Sequence, residues 1–195
     1  MVQNSLLRAN ARKQLGGGLF KMPWLVVTAV VLIYSVIISV STSTFGVSFF
    51  LIGPLNVGLY TVILNGIRQK KWEIPTMFIG FKNFLKTFVL YFLQSLYLLL
   101  WGFLVIPAIV KRYSYAMAYY IHIDNPELGA NDCITISRKM MNGHKWQLFC
   151  LDCSFIGWYI LGSLCFGLGI PFVDAYRMTA YSNFYLALKA EVSVR

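Results

Sequence analysis

The sequence predicts an all-α, polytopic membrane helical bundle of about six transmembrane helices, arranged as three Pro-broken hairpins with interfacial amphipathic helices. Three observations predict it. Only 12% of the 195 residues are charged and 58% are hydrophobic, where a soluble chain carries roughly 25% charged residues. Apolar runs such as Trp24 to Val40 are continuous rather than alternating. They suit spanning helices and not the strands of a barrel, the other closed solution in lipid. Basic residues collect between those runs, around Arg12, Lys70 and Arg138, as they do in cytoplasmic loops. The net charge of +10 therefore points to an anionic membrane surface and not to nucleic acid.

In chain order, residues 1–21 read as an interfacial helix. Leu7, Ala11 and Leu15 share one face at i, i+4, i+8 while Arg8, Arg12, Lys13 and Lys21 supply the charge. Asn4 or Ser5 is placed to cap it, and Gly16 to Gly18 end it. A cleavable signal peptide is not expected, because the apolar run that follows is too long and no small-residue cleavage site precedes it. Trp24 anchors the first spanning helix, Ser41 to Thr44 form an outer loop, and Phe49 to Leu64 return, interrupted at Gly53-Pro54. A second amphipathic stretch from Pro75 carries Phe78, Phe81, Leu85 and Phe88 at helical spacing. It runs into apolar residues up to Pro107.

Phe84 to Ile123 reads in two ways. It is either one kinked crossing plus an outer segment, or two crossings with a turn near Pro107. Pro107 to Ile123 would be about 25 Å long at roughly 1.5 Å per residue, which nearly spans a core of about 30 Å. Two crossings are favoured, because one crossing would place Arg138, Lys139 and Lys145 outside, against the positive-inside trend. Asn125-Pro126-Glu127 then reads as a helix start, with an Asn cap, Pro at N1 and Glu at the positive end. Cys133, Ile136 and Met140 form its apolar stripe, and Gly143 stops it. Gln147 to Ile170 span again with Asp152 inside. Pro171 breaks the run, and Pro171 to Leu188 return with Asp174 and Arg177, leaving a frayed tail.

These segments repeat. Gly18/Lys21/Trp24, Gly80/Lys82/Phe84 and Gly143/Lys145/Trp146 lead into apolar helices. Ile52-Gly53-Pro54, Ile106-Pro107 and Ile170-Pro171 then interrupt them. The whole chain, 1–195, reads as a single integral membrane domain. Residues 1–21 form its N-terminal helix, 22–66, 76–124 and 125–190 form its three hairpins, and both termini are cytoplasmic.

The stretch from Ile106 to Trp158 resembles a bacterial integral-membrane family, domain of unknown function 975. The resemblance rests on Ile106-Pro107, Lys111, Tyr113 to Met117, Asp124-Asn125-Pro126, Ser137-Arg138, Gly143 to Lys145 and Ser154 to Trp158. Gly53 to Leu55, Phe81 to Phe84 and Ser182 to Tyr185 also fit. Ala108 departs from the pattern, where the family often has Gly. The resemblance implies a multi-span protein of the bacterial cytoplasmic membrane. It brings no activity.

Candidate sites follow from cost. An ionised side chain in lipid is expensive and marks a site or a lock. Lys111, Arg112, Asp152, Asp174 and Arg177 qualify as a polar intramembrane cluster. Asp174 is expected to pair with Lys111 or Arg112, since each lies about one turn beyond a Pro break. Tyr113, Tyr115, Tyr119 and Tyr120 form an aromatic helix suited to an interface belt with hydroxyl cross-links between helices. Arg138, Lys139 and Lys145 form a cytoplasmic basic surface. Cys150 and Cys153 lack the second ligand pair that zinc needs, so no metal and no cofactor is expected. No nucleophile–base grouping, phosphate-binding loop or paired-carboxylate motif occurs. The expected function is thus non-enzymatic: an accessory, immunity or assembly factor that binds membrane lipid, including anionic headgroups, or a membrane-protein partner. The alternative is a small transporter or permease with the polar cluster on its path.

Overall fold

The computed structural model describes residues 3–17, 21–42, 47–102, 105–164, 167 and 169–193. Gly18, Ser43 and Thr44, which figure in the expectations above, lie outside the described residues. The described residues are helical with no strand, in agreement with the expected all-α class. Four helices are long and apolar enough to cross a membrane by length and composition: Met22–Ser41, Val47–Gln69, Phe84–Gly102 and Lys145–Leu164. The chain divides into two compact units, Met1–Val36 with Val62–Ile74 and Gln147–Arg195, and Ile37–Thr61 with Pro75–Trp146.

The first unit is built on α1 (Asn4–Gln14), the start of α2 (Met22–Thr42), the end of α3 (Val47–Gln69), α8 (Lys145–Cys153), α9 (Ile156–Leu164) and α10 (Ile170–Ser193). The expected stripe of α1 exists, with Leu7, Ala11 and Leu15 buried, but protein covers it, since α1 packs along α10. Three polar contacts fix the docking. Asn4 Nδ2 donates to the Gln147 carbonyl at 3.0 Å, the Tyr176 hydroxyl to the Arg8 carbonyl at 3.1 Å, and Asn183 Nδ2 to Gln14 Oε1 at 2.7 Å. α1 ends in a Schellman turn. Gly16 and Gly17 take φ of +93° and +76°, and their N–H groups return to the Lys13 and Arg12 carbonyls. α10 is buried along most of its length, through Val173, Ala175, Tyr176, Thr179, Ala180 and the run from Ser182 to Tyr185. That explains how a helix too polar to qualify as a span by hydropathy holds its place: its polar face meets protein.

The second unit holds the rest of α2 and α3, a 3₁₀ helix (Ile74–Phe81), α4 (Phe84–Gly102), α5 (Val105–Tyr115), α6 (Ala118–Asp124) and α7 (Ala130–Met140). The amphipathic stretch expected from Pro75 is divided: Leu85 and Phe88 fall in α4, while Phe78 and Phe81 fall in this 3₁₀ helix. The 3₁₀ helix lies so close to α3 that side chains are excluded at the crossing. A Cβ on Gly58 would overlap the Met77 backbone, and one on Gly80 would overlap the backbone of Pro54. α4 packs on α5 and α7, and α7 also on α6.

Three expected boundaries move. Pro54 does not break α3, which runs through it from Val47 to Gln69. Its missing N–H costs one ladder bond inside an otherwise continuous helix. Pro107 and Pro171 do open helices, in the first turns of α5 and α10 where an N–H has no partner anyway. Asn125 does not start α7. It is the C-cap of α6, with Nδ2 near the Ile121 carbonyl at 3.4 Å, and Gly129 is the N-cap of α7. The run from Gln147 is two helices, α8 and α9, separated by a turn at Ser154-Phe155.

Candidate functional site

Most intramembrane charge foreseen in the sequence collects in one network of the first unit, at α8, α9 and α10. On α10, Asp174, Arg177 and Tyr181 fall at i, i+3, i+7 and share a face. On α8 and α9, Asp152 and Tyr159 are seven residues apart on either side of the Ser154-Phe155 turn. Arg177 Nε donates to Asp152 Oδ1 at 3.0 Å, and the Tyr181 hydroxyl donates to Asp152 Oδ2 at 2.7 Å. Arg177 Nη1 reaches the Tyr159 oxygen at 3.3 Å, while that hydroxyl donates to the Asp174 carboxylate. The guanidinium also lies over the Tyr181 ring, 5.4 Å from its centroid. The side chains of Arg177 and Asp152 are 30% and 20% exposed, so the ion pair is shielded without being sealed.

The expected pair of Asp174 with Lys111 or Arg112 would join residues of different units, and within the first unit the Asp174 carboxylate accepts from the Tyr159 hydroxyl. Asp152 takes the arginine because it faces Arg177 from the adjacent helix, and a tyrosine serves Asp174. Lys111 belongs to the second unit, where its ammonium sits over the Trp101 ring at 4.5 Å. Arg112 is exposed beside it. Tyr159 went unnoticed in the sequence. Its only signal is its seven-residue spacing from Asp152, which matches Asp174 to Tyr181.

The tyrosine segment packs within the second unit. The Ala116-Met117 turn divides it between α5 and α6, and Tyr115, Tyr119 and Tyr120 are buried. Tyr60 meets Tyr119 and Tyr120 at ring distances of 5.7 and 4.8 Å, and Tyr97 meets Tyr115 at 6.2 Å. Tyr113 is half-buried. A serine of α7 mends the break. Ser137 Oγ donates to the Ser114 carbonyl at 2.8 Å and accepts from the Met117 N–H at 3.2 Å, two backbone groups that the turn leaves without helical partners. Ser137 is fully buried for that reason, and the buried stripe of α7 is Cys133, Ile134, Ser137 and Met141 instead of Cys133, Ile136 and Met140. Burial and the neighbouring Asp132 push the Cys133 thiol up from its ordinary value. Arg138 and Lys139 are exposed at the end of α7, and Lys145 is half-buried at the start of α8. Among the described residues, no group of three or more His, Cys, Asp or Glu side chains is placed to hold a metal ion.

The fold and these clusters define a class: an all-helical chain with four segments able to cross a membrane and a network of charged and tyrosine side chains inside one of its two units. Residues 103–192 match the model of the family described as Protein of unknown function (DUF975), the family that the motifs resemble. That family is uncharacterised, and its match takes in the tyrosine segment, α7 and the whole polar network. No curated protein and no solved structure matches the chain.

Proposed function

We propose that the chain is a non-enzymatic integral protein of the bacterial cytoplasmic membrane, an accessory or assembly factor that binds lipid or a membrane-protein partner. The observation that carries this is the mutual hydrogen bonding of the polar network. Arg177, Asp152, Tyr181, Tyr159 and Asp174 hydrogen-bond to one another across α8, α9 and α10. A network bonded in this way locks helices together, whereas a transport path needs polar groups left open along several helices.

Burial supports the membrane setting. In a soluble fold the most apolar helices are the most buried. Here only 11% of the span window of Phe84–Gly102 is buried, 22% of that of Lys145–Leu164, and 33% of that of Met22–Ser41, while Val47–Gln69, at 56%, is the most buried of the four. The more polar α10 lies inside. Outward faces that carry Leu85, Leu99, Leu100, Leu161 and Leu164 fit lipid as solvent. Six crossings as three hairpins, with both termini cytoplasmic, complete the reading. α5 with α6, and α10, would be the two protein-shielded crossings beyond the four apolar ones.

Three measurements test it. In a cysteine-free background, Gly102→Cys should react with an impermeant maleimide added to intact cells and Asn142→Cys should not. Labelling of Asn142→Cys would support the single crossing of Phe84 to Ile123. Native mass spectrometry of the purified protein should find retained lipid or a co-purifying membrane protein. Solute flux by the protein alone in proteoliposomes, abolished by Asp174→Ala, would favour the transporter instead.

A further inference from the structure

On the first unit, α1, α9, α10 and the start of α2 enclose a slot of about 170 Å³ walled by Trp24, Trp158, Phe172, Val173 and Tyr176. Its walls are tightly built: Tyr176 meets Trp24 at a ring distance of 5.9 Å, Phe155 at 5.1 Å and Trp158 at 6.5 Å. The slot continues, through shared Arg12, Gly17, Trp158 and Tyr176, into an opening of about 430 Å³ that adds Ser5, Arg8 and Lys13. Three properties of this groove point the same way. Its mouth carries three cations, Arg8, Arg12 and Lys13, and none of them makes an ion pair with a described residue. Two donors are buried with no acceptor among the described residues, Arg8 Nε and Trp24 Nε1, and Trp24 is only 6% exposed. Buried donors without partners cost stability and are rare unless something outside the chain supplies the acceptor. Finally, mouth and slot share Arg12, Gly17, Trp158 and Tyr176 in their linings, so a polar space adjoins an aromatic one.

We infer that this groove is a binding site for an anionic phospholipid, whose phosphate sits among Arg8, Arg12 and Lys13 and whose chain enters the aromatic slot. Phosphate and ester oxygens are the acceptors that the orphan donors lack, and guanidinium forks match phosphate geometry. A free phosphate would leave the slot unused, and an uncharged lipid would leave the three cations unmatched. The site rests on the membrane reading above and makes it specific: α1 is a lipid-holding element clamped to α10 by Leu7, Ala11 and Leu15.

The test uses the full chain in nanodiscs of phosphatidylcholine doped with phosphatidylglycerol, with bound lipid counted by native mass spectrometry after release. Phosphatidylglycerol should be retained over phosphatidylcholine, and the triple variant Arg8→Gln, Arg12→Gln, Lys13→Gln should lower its retention about tenfold. The variant should still fold, because α1 docks through its apolar stripe and through the Arg8 carbonyl, which the substitution leaves in place. Lys70→Gln with Lys71→Gln, outside the lining of the groove, should leave retention unchanged. A second readout is independent of charge: a phosphatidylglycerol brominated along its chain should quench tryptophan fluorescence, and Trp158→Phe should remove much of that quenching. Equal retention of both lipids, or no loss in the triple variant, would overturn the inference. Glycerol phosphate competing as well as the intact lipid would overturn it too, by removing the role of the slot. Failure of the membrane reading looks different: the protein would leave the membrane fraction in a carbonate wash.

Discussion

Replacing Asp152 by alanine removes both acceptors at the centre of the polar network, the partner of Arg177 Nε at 3.0 Å and that of the Tyr181 hydroxyl at 2.7 Å. Breaking one side of a buried ion pair costs about 3–5 kcal/mol, whereas an exposed pair gives about 0–1 kcal/mol. With the two side chains 30% and 20% exposed, the case lies nearer the buried limit. Arg177 also keeps the Tyr159 oxygen and the Tyr181 ring after the substitution, which softens the loss. The expected destabilisation is about 2–3 kcal/mol. At 2–4 °C per kcal/mol for a chain of this size, the melting temperature in detergent should fall by roughly 5–10 °C. A thiol-reactive dye or circular dichroism melt reads this directly. Adding Arg177→Met should restore part of the loss, because the uncompensated cation is then gone. An Asp152→Ala protein that melts within 1 °C or so of the parent, or a double variant whose losses simply add, would refute the lock.

The same geometry sets further expectations. Tyr159→Phe removes a donor to Asp174 and an acceptor from Arg177 and should cost about 1–2 kcal/mol in the same melt. Ser137→Ala strands the Ser114 carbonyl and the Met117 N–H. It should cost about 1–3 kcal/mol and speed hydrogen exchange at Met117. Gly58→Ala and Gly80→Ala each push a methyl into backbone, at Met77 and Pro54, and should destabilise by about 1–3 kcal/mol or more. Alanine at the exposed Gly157, where no atom lies within 4 Å of the Cβ position, serves as their control. Cys133 is buried and its thiol is raised, so at pH 8 it holds less of the reactive thiolate than an ordinary cysteine. Alkylation there should be slow in the folded protein and fast once it is denatured.

What could be read from residues alone was what depends on composition and period. The long apolar segments, the Leu7/Ala11/Leu15 stripe and the isolated charges Asp152, Asp174 and Arg177 all stood out, because lipid and helix geometry act on them locally. What could not be read depends on the neighbour each residue meets. Arg177 had two carboxylates at plausible spacing, and only the packing of α8 and α9 on α10 selects Asp152. Ser137 carries no signal of its own, because its role is defined by a helix break that lies 20 residues away. Pro54 resembled Pro107 and Pro171 in sequence context. Its different outcome follows from its place in the interior of α3 instead of a first turn. Tyr159 became visible only when the α8–α9 turn set it opposite α10.

The central claim is that the least-buried apolar helices face lipid. Spin labels at Leu85, Leu99 and Leu161, which are 71%, 68% and 57% exposed, and at the buried Ala175 test it most directly in reconstituted protein. Labels at the three leucines should collide readily with oxygen, which concentrates in the bilayer, and be shielded from a water-soluble nickel chelate. The label at Ala175 should be shielded from both. Nickel access at Leu99 and Leu161 equal to that of a label at the exposed Asn142 would place those faces in water and contradict the account.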